Sequence, residues 1–470
     1  MTSSVADAFA ALLAANPAAP VAWTAKGLVS RNDLDAAARG VAAHLREIPP
    51  GGRIGVSVRD GVTFLATFLA LCRRGDTALL LDAADPRAPR LDLAAQWAMT
   101  AVVSDAVELR VHRCAAAGAP AAACAAQSTA IEPSANQPSA APFRAIKLTS
   151  GSTGKPTPVG VGDAELLADA DQLERTMSIG ADDRVFAAVP MSFSYGVGNL
   201  LVPALARGRC LVLPADGPIG MLQALRRGEP TVLPAVPALL RALLRGSLQL
   251  PPSMRLVISA GAVLSPEVAR QFRERFGLPV HVFYGSTESG GVTFDRTGAS
   301  AEAGLVGTPV EGVAVEVVAD GRVRVRSAAV GTALDGETNP RNGCFVAPDF
   351  GEWHGEELRL LGRTGTVFDV GGHKVDPNEV QRLIEQLPQV VEAAVLSLSD
   401  EDGRAICGAV VAGRGVLAED VRRHCARVLP LPKVPRQLAV VEQLPRTSRG
   451  KLAQDALRDL LLGANARSAE

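Results

Sequence analysis

The stretch from Arg53 to Asp82 constrains the fold more than any other part of the chain. Two short runs, Arg53–Val58 and Ala78–Asp82, flank a continuous apolar segment, Val62–Cys72, which stops at Arg73, Arg74 and Gly75. That segment is about half the length a membrane span needs, so it reads as a buried helix between two strands. Just upstream, Ser30 and Asp33 have the spacing of a capping box. The apolar positions Leu34, Ala37, Val41, Ala42 and Leu45 then share one helical face. Strands alternating with helices indicate an α/β fold.

A chain of 470 residues is too long for one core, so two or three domains are expected. Hydrophobic residues make up 47% but aromatics only 4%, which leaves the cores to Ala, Val and Leu. The α/β pattern resumes at Ile146 and runs to about residue 300. Between Gly304 and Arg326 it gives way to short alternating strands, Val313–Val318 and Arg322–Arg326, which suggest a small β-rich subdomain. Residues 114–142, rich in Ala, Pro, Ser and Gln, read as a loop with loose helical tendency. A last unit is expected over 363–470, after a large domain over 1–362. It holds a helix from Pro377, capped by Asp376 with Glu379 in its first turn, and a strand, Val391–Leu398.

Several function classes are excluded by charge and composition. The net charge of −1 leaves no broad basic face for nucleic acid or an anionic membrane. Cysteines at 72, 114, 124, 210, 344, 407 and 425 show no metal-ligand spacing and read as free thiols of a reducing cytoplasm. The six histidines are equally dispersed, which argues against a zinc site. The amino terminus has Asp7 and no Lys or Arg before its Ala-rich stretch, unlike a secretory signal.

The most informative run is Leu148-Thr149-Ser150-Gly151-Ser152-Thr153-Gly154-Lys155-Pro156. Glycines let backbone N–H groups approach an anion and hydroxyls add donors, so a phosphate cradle is the physical reading. Composition alone also allows a flexible polar linker. The P-loop pattern fails, with Thr149 where its first glycine belongs and Pro156 where its Ser or Thr belongs.

This run resembles the ATP-binding loop of the superfamily of acyl-CoA synthetases, peptide-synthetase adenylation domains and luciferases. Four further segments resemble that family in its own order. Val257–Pro266, with Ser259, Ala260, Gly261 and Ala262, is similar to the strand and turn lying against adenine. Tyr284-Gly285-Ser286-Thr287-Glu288 follows a strand expected at His281–Phe283. The resemblance implies that Tyr284 stacks on adenine, Thr287 reaches phosphate and Glu288 helps hold Mg²⁺, and each role suits its group. Asp349 and Arg363 are implied contacts to ribose and phosphate. Leu444–Lys451 matches the carboxy-terminal lysine loop, making Lys451 the catalytic lysine between the acid's carboxylate and the α-phosphate.

Pro190–Gly196 resembles the acid pocket, with Phe193, Ser194, Tyr195 and Gly196, joined by Ser259, as lining; aromatic core packing is the alternative for Phe193 and Tyr195. Gly371-Gly372-His373-Lys374 resembles the pantetheine tunnel and supports a thiol acceptor. What the resemblance implies is a large amino-terminal domain of two α/β subdomains plus a β-rich one, then a small mobile α+β domain. Its reaction would form an acyl-AMP from ATP and a carboxylic acid, release pyrophosphate, and pass the acyl group to a thiol.

The chain departs from the pattern in places. Thr157 stands where the phosphate loop has lysine, Ala347-Pro348 replace Thr-Gly before Asp349, and Gly365 takes the hinge aspartate's place. No acidic residue occurs from Pro190 to Leu205, so a buried substrate ammonium would lack a partner. A plain aryl or aliphatic acid is therefore preferred over an α-amino acid. Coenzyme A, or a carrier protein's phosphopantetheine in a close variant, is the expected acceptor. A non-catalytic nucleotide-binding relative is the competing class; retention of Glu288, Asp349, Arg363 and Lys451 argues against it.

Overall fold

The computed structural model describes residues 4–83, 98–105, 109–114, 143–149, 157–334, 340, 342–363, 368–370, 373–400, 405–447 and 452–468. They divide into two compact units, Met1–Glu316 with Arg324–Val346, and Val317–Val323 with Ala347–Glu470. Most of the 114–142 stretch read as a loop lies outside the described residues.

Two sheets form the first unit. The larger has nine strands, and its middle six run parallel: Val280–Ser286, Leu256–Ser259, Val232–Ala235, Arg184–Phe186, Cys210–Val212 and Pro20–Thr24, in that spatial order. Antiparallel strands close both edges. The smaller has seven strands around a parallel middle of Ala145–Leu148, Thr77–Leu80, Arg53–Ser57 and Ala101–Ser104. Near-continuous apolar runs such as Leu256-Val-Ile-Ser suit strands covered on both faces.

The expected apolar helix spans Gly61–Arg74 and is buried from Phe64 through Cys72. Asp60 accepts from the Thr63 N–H at 2.8 Å to start it, and Gly75, at φ 73°, ends it in the left-handed conformation that glycine adopts without strain. The Ser30–Asp33 capping box is present in both directions. On that helix Leu34, Val41 and Leu45 are buried as expected, together with Ala38. Phe9, Phe68, Phe186 and Phe272 are among the largest fully buried side chains, in a core built mainly of leucine, valine, isoleucine and alanine. Ala314–Val317 and Arg322–Arg326 are strands, as their alternation predicts.

In the second unit, strands Val390–Ser399, Ala405–Gly413 and Gln437–Val441 make a three-stranded sheet. Its residues alternate between two cores. Val411, Ala409 and Cys407 pack with Val380 and Ile384 of helix Pro377–Ile384, while Val410 and Ala412 pack with Leu457 and Leu461 of helix Gln454–Ser468. Asp376 caps the first helix, accepting from the Asn378 N–H at 2.9 Å.

Candidate functional site

The expected adenine segments, and Thr149 at the start of the expected phosphate segment, stand just past the carboxyl ends of parallel strands in the two sheets, the ends at which open α/β sheets bind their ligands. Strand Leu256–Ser259 delivers Ser259, Ala260, Gly261 and Ala262. Ala260 donates to the Ala235 carbonyl at 3.1 Å, and the chain then turns outward through Gly261 at φ +81°. Gly261 and Ala262 are exposed, while Ser259 is buried and its Oγ finds no hydrogen-bond partner among the described residues. A polar atom in that condition normally meets something else, water or ligand.

The neighbouring strand delivers Tyr284–Ser286 and a tight turn. The Ser286 hydroxyl accepts N–H bonds from Glu288 at 3.2 Å and Ser289 at 3.1 Å, which fixes the turn that carries Thr287 and Glu288. Both are half-buried. Gly285 has no room for a side chain, because a Cβ would lie 2.7 Å from the Gly290 carbonyl oxygen. The Glu288 carbonyl accepts from the Gly331 N–H at 2.9 Å.

In the seven-stranded sheet, Ala145–Leu148 pairs antiparallel with Pro158–Val161. One step beyond, Thr149 and Thr157 clasp: the Thr149 N–H donates to the Thr157 carbonyl at 2.9 Å, and the Thr149 Oγ1 accepts from the Thr157 N–H at 3.2 Å. This clasp closes the base of residues 150–156; Ser150, Gly151, Ser152, Thr153, Gly154 and Lys155 lie outside the described residues.

The expected acid-pocket segment is a tight turn running into a short π-helical stretch, Val197–Leu201. Gly196 is required, since a Cβ there would stand 2.1 Å from the Pro190 carbonyl oxygen. The Tyr195 hydroxyl donates to the Ile258 carbonyl at 3.4 Å and its ring lies 5.8 Å from that of Phe283. Burial pushes the Tyr195 phenol above its usual range. Asn199 donates to the Tyr195 carbonyl at 3.1 Å, and its buried Oδ1 has no partner among the described residues. Tyr195 thereby ties the turn holding Phe193, Ser194 and Gly196 to the strand ending in Ser259.

In the second unit Asp349 and Arg363 are cross-strand partners in the hairpin Cys344–His354 and Glu357–Arg363, with the guanidinium Nε 3.9 Å from the carboxylate. Ala347 is buried and Pro348 lies within the strand. His373 and Lys374 lie on strand His373–Val375, paired with Phe368–Val370. Gly371, Gly372 and Lys451 lie outside the described residues. The loop that carries Lys451 is tied at its base, where Arg446 bridges to Leu452 and Ala453 donates to the Pro445 carbonyl at 2.9 Å.

The sequence of the chain matches the model of the AMP-binding enzyme family over residues 10–333, and that of the AMP-binding enzyme carboxy-terminal domain over 379–451. The chain belongs to the AMP-binding enzyme family. It is 30% identical over 346 residues to a 4-hydroxybenzoate–CoA/benzoate–CoA ligase of Rhodopseudomonas palustris, an alignment covering 67% of this chain and 64% of that one. It is 29% identical over 463 residues to a benzoate–CoA ligase of Thauera aromatica, covering 87% and 86%. Among solved structures, ATP-bound MatB from Rhodopseudomonas palustris superposes with a TM-score of 0.80 at 24% identity, over 97% of this chain and 98% of that one. The fold reading, a large amino-terminal α/β domain followed by a small one, holds. So does the reading of the chain as an AMP-forming acid–thiol ligase.

The residues present fit the nucleotide that this family handles. The Glu288 carboxylate on a fixed turn suits a hard cation, and the Thr287 hydroxyl beside it suits a phosphate. Three residues in this AMP-binding enzyme escaped the sequence reading: Lys147, Asp169 and Asn199. Lys147 is buried in a strand whose other members are apolar, and the Asp169 carboxylate acts on it electrostatically. The signal was present in Ala145-Ile-Lys-Leu148, a charge at a position where strand pattern calls for an apolar residue. Asn199 was missed because its role depends on the π-helical stretch, which no periodicity announces.

Proposed function

We propose that the chain adenylates an aryl carboxylic acid lacking an α-amine and transfers the acyl group to coenzyme A. The observation that carries the acid class is the contact of the Tyr195 ring with Phe283, with two buried atoms that have no partner among the described residues, Ser259 Oγ and Asn199 Oδ1, on the elements that Tyr195 joins. An aromatic pair with few polar groups around it suits a planar acid. The segment contains no carboxylate to pair with an ammonium. The aryl-CoA activities of the two curated relatives support the same class.

In this reading Tyr284 stacks on adenine while the backbone of Ala260, Gly261 and Ala262 lies along its edge. Thr149 and Ser150–Lys155 hold the phosphates with Thr287, Asp349 takes the ribose hydroxyls, and Arg363 contacts ribose or phosphate. Glu288 would hold Mg²⁺, which supplies neutralisation of phosphate charge. The acid's carboxylate attacks the α-phosphorus, the bond to the bridging oxygen of pyrophosphate breaks, and Lys451 stabilises the charge that builds between them. The thiol, entering past Gly371, Gly372, His373 and Lys374, then attacks the acyl carbonyl and AMP leaves. The described cysteines carry no disulfide, consistent with a cytoplasmic setting, and among the described residues no helix is long and apolar enough to cross a membrane.

ATP–pyrophosphate exchange across benzoates, arylacetates, fatty acids and amino acids tests the acid class. Exchange confined to amino acids, or absent with every acid, would reject it. Product formation with CoA but not with a holo carrier protein is the expected second result; the reverse preference would replace CoA by a carrier-bound phosphopantetheine.

A further inference from the structure

Lys147 has no place in the roles above, yet it is 5% exposed in the strand that leads to the phosphate segment. Taking an ammonium out of water costs several kcal/mol, and a well-packed apolar residue of similar volume would often serve the fold as well or better. Burial accordingly pushes the Lys147 ammonium below the usual lysine range, and the carboxylates of Asp169, Glu288 and Glu165 oppose that push. Glu165 is occupied by the Gly162 N–H, which it accepts at 2.8 Å.

The backbone shows why the other two carboxylates gather there. Lys147 is registered against Val159. Gly331 lies over Val159 so closely that a Cβ would stand 2.7 Å from its side chain, and the Gly331 N–H binds the Glu288 carbonyl. Asp169, on helix Asp163–Met177, accepts the Gly291 N–H at 3.0 Å just past the Glu288 turn. Side chains at Gly198 and Gly290 would each come within 2.5 Å of its carboxylate oxygens. The carboxylate is thus wedged between the Glu288 turn and the π-helical stretch that carries Asn199.

We propose that Lys147 and Asp169 are positioning residues for Glu288: the carboxylate of Asp169 holds the backbone beyond the turn, and the ammonium of Lys147 balances the two acids. The proposal rests on the reading of Glu288 as the Mg²⁺-holding carboxylate. Burial pushes both groups toward their neutral forms and each opposes that push on the other, so removing the Lys147 ammonium or the Asp169 carboxylate changes the field at Glu288 in opposite directions.

The test compares Lys147→Met, Asp169→Asn, the double variant and Glu288→Gln. The Mg²⁺ concentration for half-maximal ATP binding is read by calorimetry without acid, and again in pyrophosphate exchange. Lys147→Met should lower the half-saturating Mg²⁺ and Asp169→Asn should raise it, each by about threefold or more, from one charge at short range in a medium of intermediate dielectric. The double variant should return to within about twofold of the parent, as cancelling charges require. Equal Mg²⁺ requirements in both single variants, or shifts of the same sign, would show the pair to be core packing alone. Should Lys147→Met fail to fold, Asp169→Asn, which keeps an oxygen for Gly291, decides the matter. A large shift in Glu288→Gln with none in Asp169→Asn overturns the pair only. No shift in Glu288→Gln overturns the Mg²⁺ reading and the proposal with it.

Discussion

The two ends of the nine-stranded sheet are built on opposite terms. At the amino ends of its strands, Asp183, Thr231 and Arg255 each stand one residue before a strand and satisfy one another. Asp183 accepts from Arg255 Nε at 2.8 Å, from Thr231 Oγ1 at 2.6 Å and from the Gly180 N–H at 2.8 Å. Burial pushes the Asp183 carboxyl up, but these bonds outweigh it and hold its pKa down at about 2. At the carboxyl ends, Ser259 Oγ has no partner among the described residues, Gly261 turns outward and Glu288 stands on a short turn. Complete internal satisfaction marks scaffold; unmet polar groups mark the place kept for a ligand.

Removing a working group should abolish chemistry and leave the fold alone. Lys451→Ala is expected to lose adenylation by about a hundredfold or more, the scale of one lost transition-state charge contact. Thioester formation from preformed acyl-AMP should persist, and exchange and transfer assays on the same preparation check both. Intact adenylation would remove Lys451 from its role.

The scaffold end should behave in the reverse way. Asp183→Asn is expected to destabilise by about 2–3 kcal/mol, the cost of weakening a buried charged hydrogen-bond network, with kcat unchanged. The same carboxylate gives a pH signature. Its folded pKa of about 2 lies below its ordinary 3.8, so its stabilisation is complete above that value and lost as pH falls through about 2. Urea melts of parent and Asp183→Asn should converge in that acid range; a constant gap would sever the link to ionisation.

The smallest effect tests the pocket wall. Tyr195→Phe deletes one 3.4 Å hydrogen bond and keeps the ring on Phe283. A loss of under about 1 kcal/mol in stability is expected, with a change in the acid's KM larger than that for ATP. An unchanged acid KM beside a raised ATP KM would move Tyr195 out of the acid site.

The sequence was legible where one residue type answers one backbone demand. The Ser30 cap, the apolar helix 61–74 and the left-handed glycine at its end follow from local chemistry, and the structure reproduces them. The Tyr284–Glu288 run was legible only through resemblance, because no periodicity marks a turn held by the Ser286 hydroxyl. Lys147 and Asp169 were illegible: 22 positions apart in the sequence, they are brought together by sheet and helix packing alone.

The clasp between Thr149 and Thr157 divides its labour unevenly. Residue 149 contributes its hydroxyl as well as its N–H, whereas residue 157 contributes only main-chain atoms. Closure of the loop mouth is therefore blind to what hangs from position 157. A threonine there, where the phosphate loop that this run resembles has lysine, changes the charge at position 157 without loosening the hinge of the jaw.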